Sequence, residues 1–154
     1  MLATRMLTDY IKENHIRLDF AAGGKKEALE KLCRLAAALH DLPCPDVLAA
    51  VLAREEAGST GLGGGVALPH SKTSAVSAPV LILTVSPEGV DFDSLDGRPV
   101  HVFVLILTPA EGDGREHLQL LAKLGGLFKS GEAVEELLRA STPAEVHDFL
   151  ARRE

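Results

Sequence analysis

The sequence has little of the residue types and patterns that mark several large classes of protein. Among its 154 residues there is no tryptophan, and there are only two cysteines, Cys33 and Cys44. Two cysteines cannot make a disulfide scaffold, and such sparse use is typical of a reducing compartment. The longest apolar runs, residues 80–85 and 102–107, are too short to span a bilayer, and the N-terminus lacks the apolar core of a signal peptide. We therefore expect a cytoplasmic protein with no direct membrane insertion.

Positive charge and metal-ligand patterns are also scarce. Sixteen lysines and arginines face 22 aspartates and glutamates, which gives a net charge of −6, and so acidic a chain does not predict a nucleic-acid partner. No two of the six histidines stand at ligand spacing and neither cysteine lies beside one, so we expect no metal site. The length and an apolar content of 46% predict one compact domain, residues 1–154, that needs neither metal nor disulfide to fold.

Apolar periodicity predicts helices before and after a central group of strands. The nearly continuous apolar runs at residues 80–85 and 102–107 predict strands buried on both faces, and the alternation at residues 15–20 predicts an edge strand. Apolar residues three or four positions apart predict helices at residues 7–11, 25–39, 45–57, 115–129 and 133–138, with Pro45 at the first position of the third and a last helix after Thr142. This order indicates an α/β fold in which helices cover both faces of a central sheet.

A glycine-rich segment stands before the first buried strand. Gly61, Gly63, Gly64 and Gly65 fall within five positions, a density that we do not expect inside a helix or a strand. Their unshielded backbone N–H groups can cradle a phosphate or another anion, and a plain flexible turn is the alternative. The segment lacks the Gly-Lys-Ser/Thr ending of a P-loop and the third glycine of a dinucleotide fingerprint.

A histidine follows this segment directly after a proline. Pro69 fixes the backbone φ angle just before His70, and a neutral imidazole is a nucleophile near neutral pH without an activating metal. We therefore take His70 as a candidate nucleophile, against the alternative of a loop histidine with no chemical role. His117 opens the helix predicted at residues 115–129, where a solvated first-turn residue is the alternative.

The segment that runs from Arg54 to His70 carries a family resemblance. Its sequence, REEAGSTGLGGGVALPH, closely resembles the active-site segment of the fructose/mannitol-type (type 2) enzyme IIA domains of the bacterial phosphotransferase system. That family includes the stand-alone nitrogen-regulatory enzyme IIA proteins. Further matches are GVDFDSLDGRPV at residues 89–100 and HLQLLAKL at residues 117–124, so the resemblance extends from about residue 8 to residue 150. Two positions depart from the usual pattern, with Gly64 where Asn is common and Ser71 where Gly or Ala is common.

The resemblance implies a fold, a site and a chemistry. The fold would be a mixed central β-sheet flanked by helices on both faces. His70 would be the phosphorylated histidine, His117 the second active-site histidine and Arg54 the active-site arginine. The chain would be a histidine phosphocarrier of the phosphotransferase system rather than a free-standing enzyme, and it would need no cofactor and no metal. The phosphoryl donor would be the phosphohistidine carrier HPr or a nitrogen-branch paralogue of it.

The output of such a phosphocarrier stays open among three alternatives. No IIB segment and no membrane IIC segment is recognisable in the sequence, which favours a regulatory, nitrogen-type output through a protein target. A transport IIA would instead pass the phosphoryl group to a fructose/mannitol-type IIB domain. A degenerate, non-phosphorylated binding module is the alternative from another class, and the intact His70, Arg54 and His117 argue against it.

Overall fold

The computed structural model describes residues 5–154, so the first four residues of the N-terminal segment assessed above lie outside the described part. In these described residues six strands form one sheet: β1 (Ile16–Arg17), β2 (Gly61–Gly63), β3 (Val66–Ala67), β4 (His70–Thr73), β5 (Val80–Val90) and β6 (Val100–Pro109). Their order is β1-β5-β6-β3-β2, and β4 pairs with β6 beyond the end of β3. The chain therefore folds around β5 and β6, the two longest strands.

The sheet is mixed, as the resemblance implies. Strands β1 and β5 are parallel, β5 and β6 are antiparallel, and both β3 and β4 run parallel to β6. Strand β2 pairs antiparallel with β3 in a short hairpin at the edge. Because β3 and β4 lie one after the other along β6, the segment between them crosses no other strand. His70 consequently begins a new strand at an open edge.

Within the part of the chain that the structure describes, six helices cover both faces of the sheet. They are α1 (Leu7–Tyr10), α2 (Lys25–His40), α3 (Cys44–Glu56), α4 (Arg115–Leu127), α5 (Gly131–Leu138) and α6 (Pro143–Arg153), and a short 3₁₀ helix spans Glu13–His15. Helices α1, α4, α5 and α6 contribute to one apolar core, and α2 and α3 contribute to the other. Among residues 5–154, no helix combines the length and the hydropathy needed to cross a membrane.

Strand β6 shows why the central strands are apolar throughout. Val104 and Ile106 belong to the core under α4, whereas Phe103 and Leu105 belong to the core under α2 and α3, and all four side chains are fully buried. Alternate residues of a strand point to opposite faces, so a strand covered on both sides needs apolar residues at every position. The prediction of doubly buried strands is confirmed, and both strands extend beyond the predicted runs.

The prediction for the glycine-rich segment was wrong in part. Gly61–Gly63 forms β2, a strand of three residues, whereas we expected no strand there. The register shifts between Gly61 and Gly63, and Gly63, Gly64 and Gly65 all have positive φ angles, from 64° to 88°. A bulge followed by a left-handed turn needs residues without Cβ, so glycine makes this edge hairpin possible.

Other elements differ from prediction mainly at their ends. Helix α3 begins at Cys44, which places Pro45 at its second position rather than its first, where the missing N–H still breaks no helical hydrogen bond. The strand predicted at residues 15–20 shrinks to β1, because the 3₁₀ helix includes residue 15 and the chain bends directly after residue 17. The start of α6 agrees with prediction, since the Thr142 hydroxyl accepts from the backbone N–H of Glu145 at 3.2 Å.

Candidate active site

His70 begins β4 and is held there through its ring. Its Nδ1 lies 2.7 Å from the backbone carbonyl oxygen of Leu68. A carbonyl oxygen can only accept, so Nδ1 carries the proton and donates it. The lone pair of the neutral ring is therefore on Nε2. The ring is half-buried, so this side chain is oriented by the fold and still has a face toward solvent.

His117 meets His70 because of the register between β4 and β6. His70 pairs with Ile106 and Lys72 pairs with Thr108, and paired residues of neighbouring strands point to the same face of a sheet. That face is covered by α4, whose first turn carries His117. The two imidazoles meet edge to face, with ring centroids 5.4 Å apart and an angle of 62° between the ring planes. The structure thus brings together two histidines that are 47 positions apart.

Thr108 fixes the second histidine. Its Oγ1 lies 2.5 Å from His117 Nδ1, and both side chains are buried. When the hydroxyl donates this hydrogen bond, His117 carries its proton on Nε2 and presents a donor. His117 is 8% exposed, so the structure contradicts the alternative of a solvated first-turn residue.

Arg54 completes a cluster of charge around the two rings. It lies in the last turn of α3, and its Nη1 donates to the carbonyl oxygen of Gly58 at 2.9 Å. Its side chain is half-buried. Its positive charge acts on both histidines, lowering the pKa of His70 and the pKa of His117. The electrostatic influence of Arg54 therefore reaches both imidazoles.

The surroundings of both histidines favour the neutral form of the ring. Burial is the main cause that lowers the pKa of His70 below its usual value; Arg54 adds to this, while the Leu68 carbonyl and Glu55 oppose it. Burial also leads the lowering of the pKa of His117, with His70, Lys72 and Arg54 adding to it. A neutral imidazole keeps a free lone pair, so these shifts favour a nucleophile at neutral pH.

The structure does not bring the turn of the glycine hairpin to this cluster. Val66 and His70 pair with Val102 and Ile106, four residues apart on β6, which corresponds to about 13 Å along the strand. The hairpin turn at Gly64 and Gly65 lies beyond Val66, on the side away from His70. The N–H of Gly64 already donates to the carboxylate of Asp96 at 2.8 Å, and the N–H of Gly61 donates to the Ser59 hydroxyl at 3.1 Å.

Three residues near the site escaped the sequence analysis. Thr108 is the first polar residue after the apolar run of β6, a position that marks strand ends where sites form. Lys72 stands two positions after His70, on the same face of β4, and its charge lowers the pKa of His117. The Lys72 side chain also packs close to Gly114, whose φ angle is +75°. A Cβ added at Gly114 would lie 2.8 Å from the Nζ of Lys72. Glu55, next to Arg54, is buried.

No metal cluster accompanies the site within the described residues 5–154, where no three His, Cys, Asp or Glu side chains come close enough to hold an ion. Cys33 and Cys44 are both free thiols, and burial raises the pKa of the Cys33 thiol to about 12.

The group formed by His70, His117 and Arg54 offers a nucleophilic nitrogen, a second imidazole and a guanidinium. These groups suit the handling of an anionic, electrophilic centre such as a phosphoryl group.

Comparison with known proteins points to one family. Residues 9–153 match the family described as the phosphoenolpyruvate-dependent sugar phosphotransferase system, EIIA 2. The chain is similar to the fructose-specific EIIA component of Haloferax volcanii, with 39% identity over 88% of each chain.

Solved structures with the same fold include the nitrogen regulatory protein IIA-Ntr of Neisseria meningitidis, at 36% identity and a TM-score of 0.87, covering 94% of this chain and 98% of that one. A mannitol IIA of Escherichia coli, solved in complex with phosphorylated IIB, is 23% identical with a TM-score of 0.79, covering 92% and 97% of the two chains.

Proposed function

The chain belongs to the EIIA 2 family of the phosphoenolpyruvate-dependent sugar phosphotransferase system, and on that premise we propose that it carries the phosphoryl group on Nε2 of His70. The observation that carries this proposal is the hydrogen bond from Nδ1 to the Leu68 carbonyl, which leaves the lone pair on Nε2. The family supports the class of reaction, and this one contact supports the choice of Nε2 as the accepting atom. Arg54 and His117 are the partners that we assign to the phosphoryl oxygens.

The proposed step is an in-line transfer between two imidazoles. Nε2 of His70 attacks the phosphorus of a phosphohistidine donor, and the nitrogen–phosphorus bond of the donor breaks with its electron pair returning to the donor ring. No proton has to move at His70, because Nδ1 keeps its hydrogen and continues to donate to Leu68. Positioning and charge stabilisation supply the catalysis in a transfer of this kind.

Arg54 and His117 act on the charge that the transferring group carries. The planar guanidinium of Arg54 can contact two equatorial oxygens in a bidentate arrangement. With Thr108 donating to its Nδ1, His117 offers Nε2–H to a third oxygen. Of the glycines, we keep Gly61 as a candidate backbone contact, because its end of the hairpin pairs with Ala67, nearer to His70; its N–H would have to exchange the Ser59 hydroxyl for a phosphoryl oxygen. Gly63, Gly64 and Gly65 lie at the far end, where the geometry supports no contact with a phosphate on His70.

The test is phosphorylation by a purified donor system. The protein is incubated with phosphoenolpyruvate, enzyme I and an HPr-type carrier, and its intact mass is measured. We expect one acid-labile phosphate on the wild type and none on His70→Ala. His101→Ala is the matched control, because it removes a strand histidine outside the cluster, and it should be labelled like the wild type. Normal labelling of His70→Ala would overturn the proposal.

For the output, we propose regulation through a protein target. The similarity to a nitrogen regulatory protein, at 36% identity over almost the full length of both chains, supports this choice. Phosphorylation would add about −1.5 to −2 charges to His70, and Leu118, which follows His117 in sequence, is 67% exposed and open to a partner. A partner that covers this leucine would meet a neutral ring in one state and an anion in the other.

A transport output is the second candidate, and the 39% identity with a fructose-specific EIIA component favours it. The two are separated by following the phosphoryl group from phosphorylated protein to fructose/mannitol-type IIB domains. In parallel, phosphorylated protein and His70→Ala serve as bait in pull-downs. We expect different partners for the two forms and slow transfer to IIB. The same partners for both forms, with rapid transfer to a IIB domain, would establish the transport output.

A further inference from the structure

Glu55 is a buried acidic residue whose side chain is only 5% exposed, and the proposed chemistry does not use it. It follows Arg54 at the end of α3. A buried carboxylate is costly unless it is paired and hydrogen-bonded. The contacts that make this one tolerable therefore indicate what it does.

Three donors converge on the Glu55 carboxylate. Oε1 accepts from the backbone N–H of Thr60 at 2.9 Å, and Oε2 accepts from the Thr60 hydroxyl at 2.6 Å. The ammonium of Lys25, the first residue of α2, lies 2.9 Å from Oε1 and also stands over the ring of Phe92. The carboxylate thus closes the loop of residues 55–60 on itself and ties it to α2.

One branch of this network leads to the arginine of the site. The loop that Glu55 closes contains Gly58, whose N–H donates to the Glu55 carbonyl oxygen at 3.2 Å. The carbonyl oxygen of Gly58 in turn accepts from Arg54 Nη1. The guanidinium therefore rests on a carbonyl whose position depends on the clamped loop.

The other branch leads to the nucleophile. The Thr60 carbonyl oxygen accepts from the N–H of Leu68 at 3.0 Å, and the Leu68 carbonyl oxygen accepts from His70 Nδ1. Thr60 is thus joined to Glu55 on one side and, through Leu68, to the hydrogen bond that sets the protonation of His70. Both groups that we assign to the phosphoryl site are linked to the same buried carboxylate.

From this double linkage we infer that Glu55 is a positioning residue for phosphoryl transfer, which holds Arg54 and His70 in fixed relation through the loop of residues 55–60. This inference rests on the proposed phosphorylation of His70. Glu55 touches neither the phosphoryl group nor a reacting nitrogen in this assignment. Its negative charge also opposes Arg54 at His70, where it acts to raise the histidine pKa.

A double-mutant cycle tests the inference. Glu55→Gln and Arg54→Lys are made singly and together, and the rate constant for labelling of His70 is measured at a fixed donor concentration. We expect Glu55→Gln to slow labelling about tenfold or more in the wild type, and by a clearly smaller factor in Arg54→Lys, because coupled residues are not additive. Glu56→Gln, an exposed neighbour on α3, is the matched control and should keep the wild-type rate. An unchanged rate in Glu55→Gln, or equal factors in both backgrounds, would overturn the inference.

A second measurement on the resting protein separates this inference from the proposed function. Nitrogen NMR of His70 reports its protonation site and its pKa without any donor system. Glu55→Gln should mix the two neutral forms of the ring and lower the histidine pKa further, whereas Glu56→Gln should do neither. If the wild type takes no phosphate but these NMR changes occur, the phosphocarrier proposal fails and the linkage stands. If labelling occurs and the ring is unchanged in Glu55→Gln, the linkage fails.

Should Glu55→Gln not fold, Thr60→Val replaces it in both measurements. This variant removes the hydroxyl that donates to Oε2 but keeps the backbone N–H that donates to Oε1. We expect an intermediate loss of labelling rate and a smaller loss in the Arg54→Lys background. A wild-type rate in a folded Thr60→Val protein would count against the clamp.

Discussion

Two pairs of histidines lie in this molecule, and only one is arranged for chemistry. His70 and His117 meet edge to face with ring centroids 5.4 Å apart, whereas His15 and His40 stack nearly parallel at 5.0 Å. In the second pair the two Nε2 atoms lie 2.9 Å apart, and His15 Nδ1 accepts from the N–H of Lys12 at 3.0 Å. Both ring nitrogens of His15 are thus consumed.

The backbone engages Nδ1 in both His70 and His15, and the pairs differ in whether the backbone group accepts or donates that hydrogen bond. At His70 the backbone supplies an acceptor, the Leu68 carbonyl, so the proton is on Nδ1 and the lone pair on Nε2 is left over. At His15 the backbone supplies a donor, which takes up the Nδ1 lone pair and leaves Nε2 to donate to His40. Burial lowers the pKa of both His15 and His70, so a lowered pKa alone does not identify a nucleophile.

The largest expected effect on this comparison comes from removing the His117 ring from the His70–His117 pair. Removing one preorganised donor costs on the order of 10²–10³ in rate, so His117→Ala should slow labelling of His70 by about this factor. His40→Ala, which removes the second ring of the other pair, should leave the rate unchanged. The measurement is the time course of labelling for both variants, with melting curves to show that each is folded. Equal labelling rates in His117→Ala and His40→Ala would mean that the pairing of His117 with His70 contributes nothing to phosphoryl transfer.

A smaller effect is expected from Arg54→Lys, which keeps the charge near the first pair but loses the planar fork. A point charge cannot reproduce bidentate contact with phosphoryl oxygens, so labelling should slow by roughly tenfold, against on the order of 10² for Arg54→Ala. The comparison of the two variants by labelling rate separates geometry from charge. If lysine restores the wild-type rate while alanine does not, long-range charge is the only contribution of this residue.

Sequence reasoning could predict the parts of the fold and site that depend on local pattern. The doubly buried strands follow from unbroken apolar runs, and His70 stands out because Pro69 and a glycine-rich segment precede it. The meeting of His70 with His117 depends on the register of β4 against β6, and no local pattern fixes a register. The family resemblance named both histidines without saying what joins them.

The hydrogen-bond network around Glu55 could not be predicted from the sequence either, because it too depends on tertiary contacts. Its partners Lys25 and Thr60 come from another helix and from the loop that follows, and an acidic residue at the end of a helix ordinarily indicates a solvated position. The phosphate-binding role predicted for the glycine segment stays a prediction, although its turn at Gly64 and Gly65 lies on the side away from His70. Tertiary geometry, which no local sequence pattern fixes, governs both the Glu55 network and the position of this turn.

The smallest expected effect concerns the second pair and the pH dependence of stability. His15 has its pKa lowered by burial and by the charges of His40, Lys12 and Arg17. Between this lowered value and the ordinary value of about 6.5, the unfolded chain binds more protons than the native one, so the free energy of unfolding falls as the pH falls.

The variant His40→Gln removes one of the charges that oppose protonation of His15, which brings the pKa of His15 back toward its ordinary value. The free energy of unfolding should then fall less steeply between pH 7.5 and 5.5, by less than about 1 kcal/mol, since one full pKa unit corresponds to about 1.4 kcal/mol. The dependence of the unfolding free energy on pH does not vanish, because burial still lowers the pKa of His70 and of His117.

Urea unfolding at several pH values measures this pH dependence. The control for replacing any histidine is His147→Gln, which lies on α6 and outside both pairs. A slope in His40→Gln that equals that of this control would show that the stacked pair is not coupled to protonation.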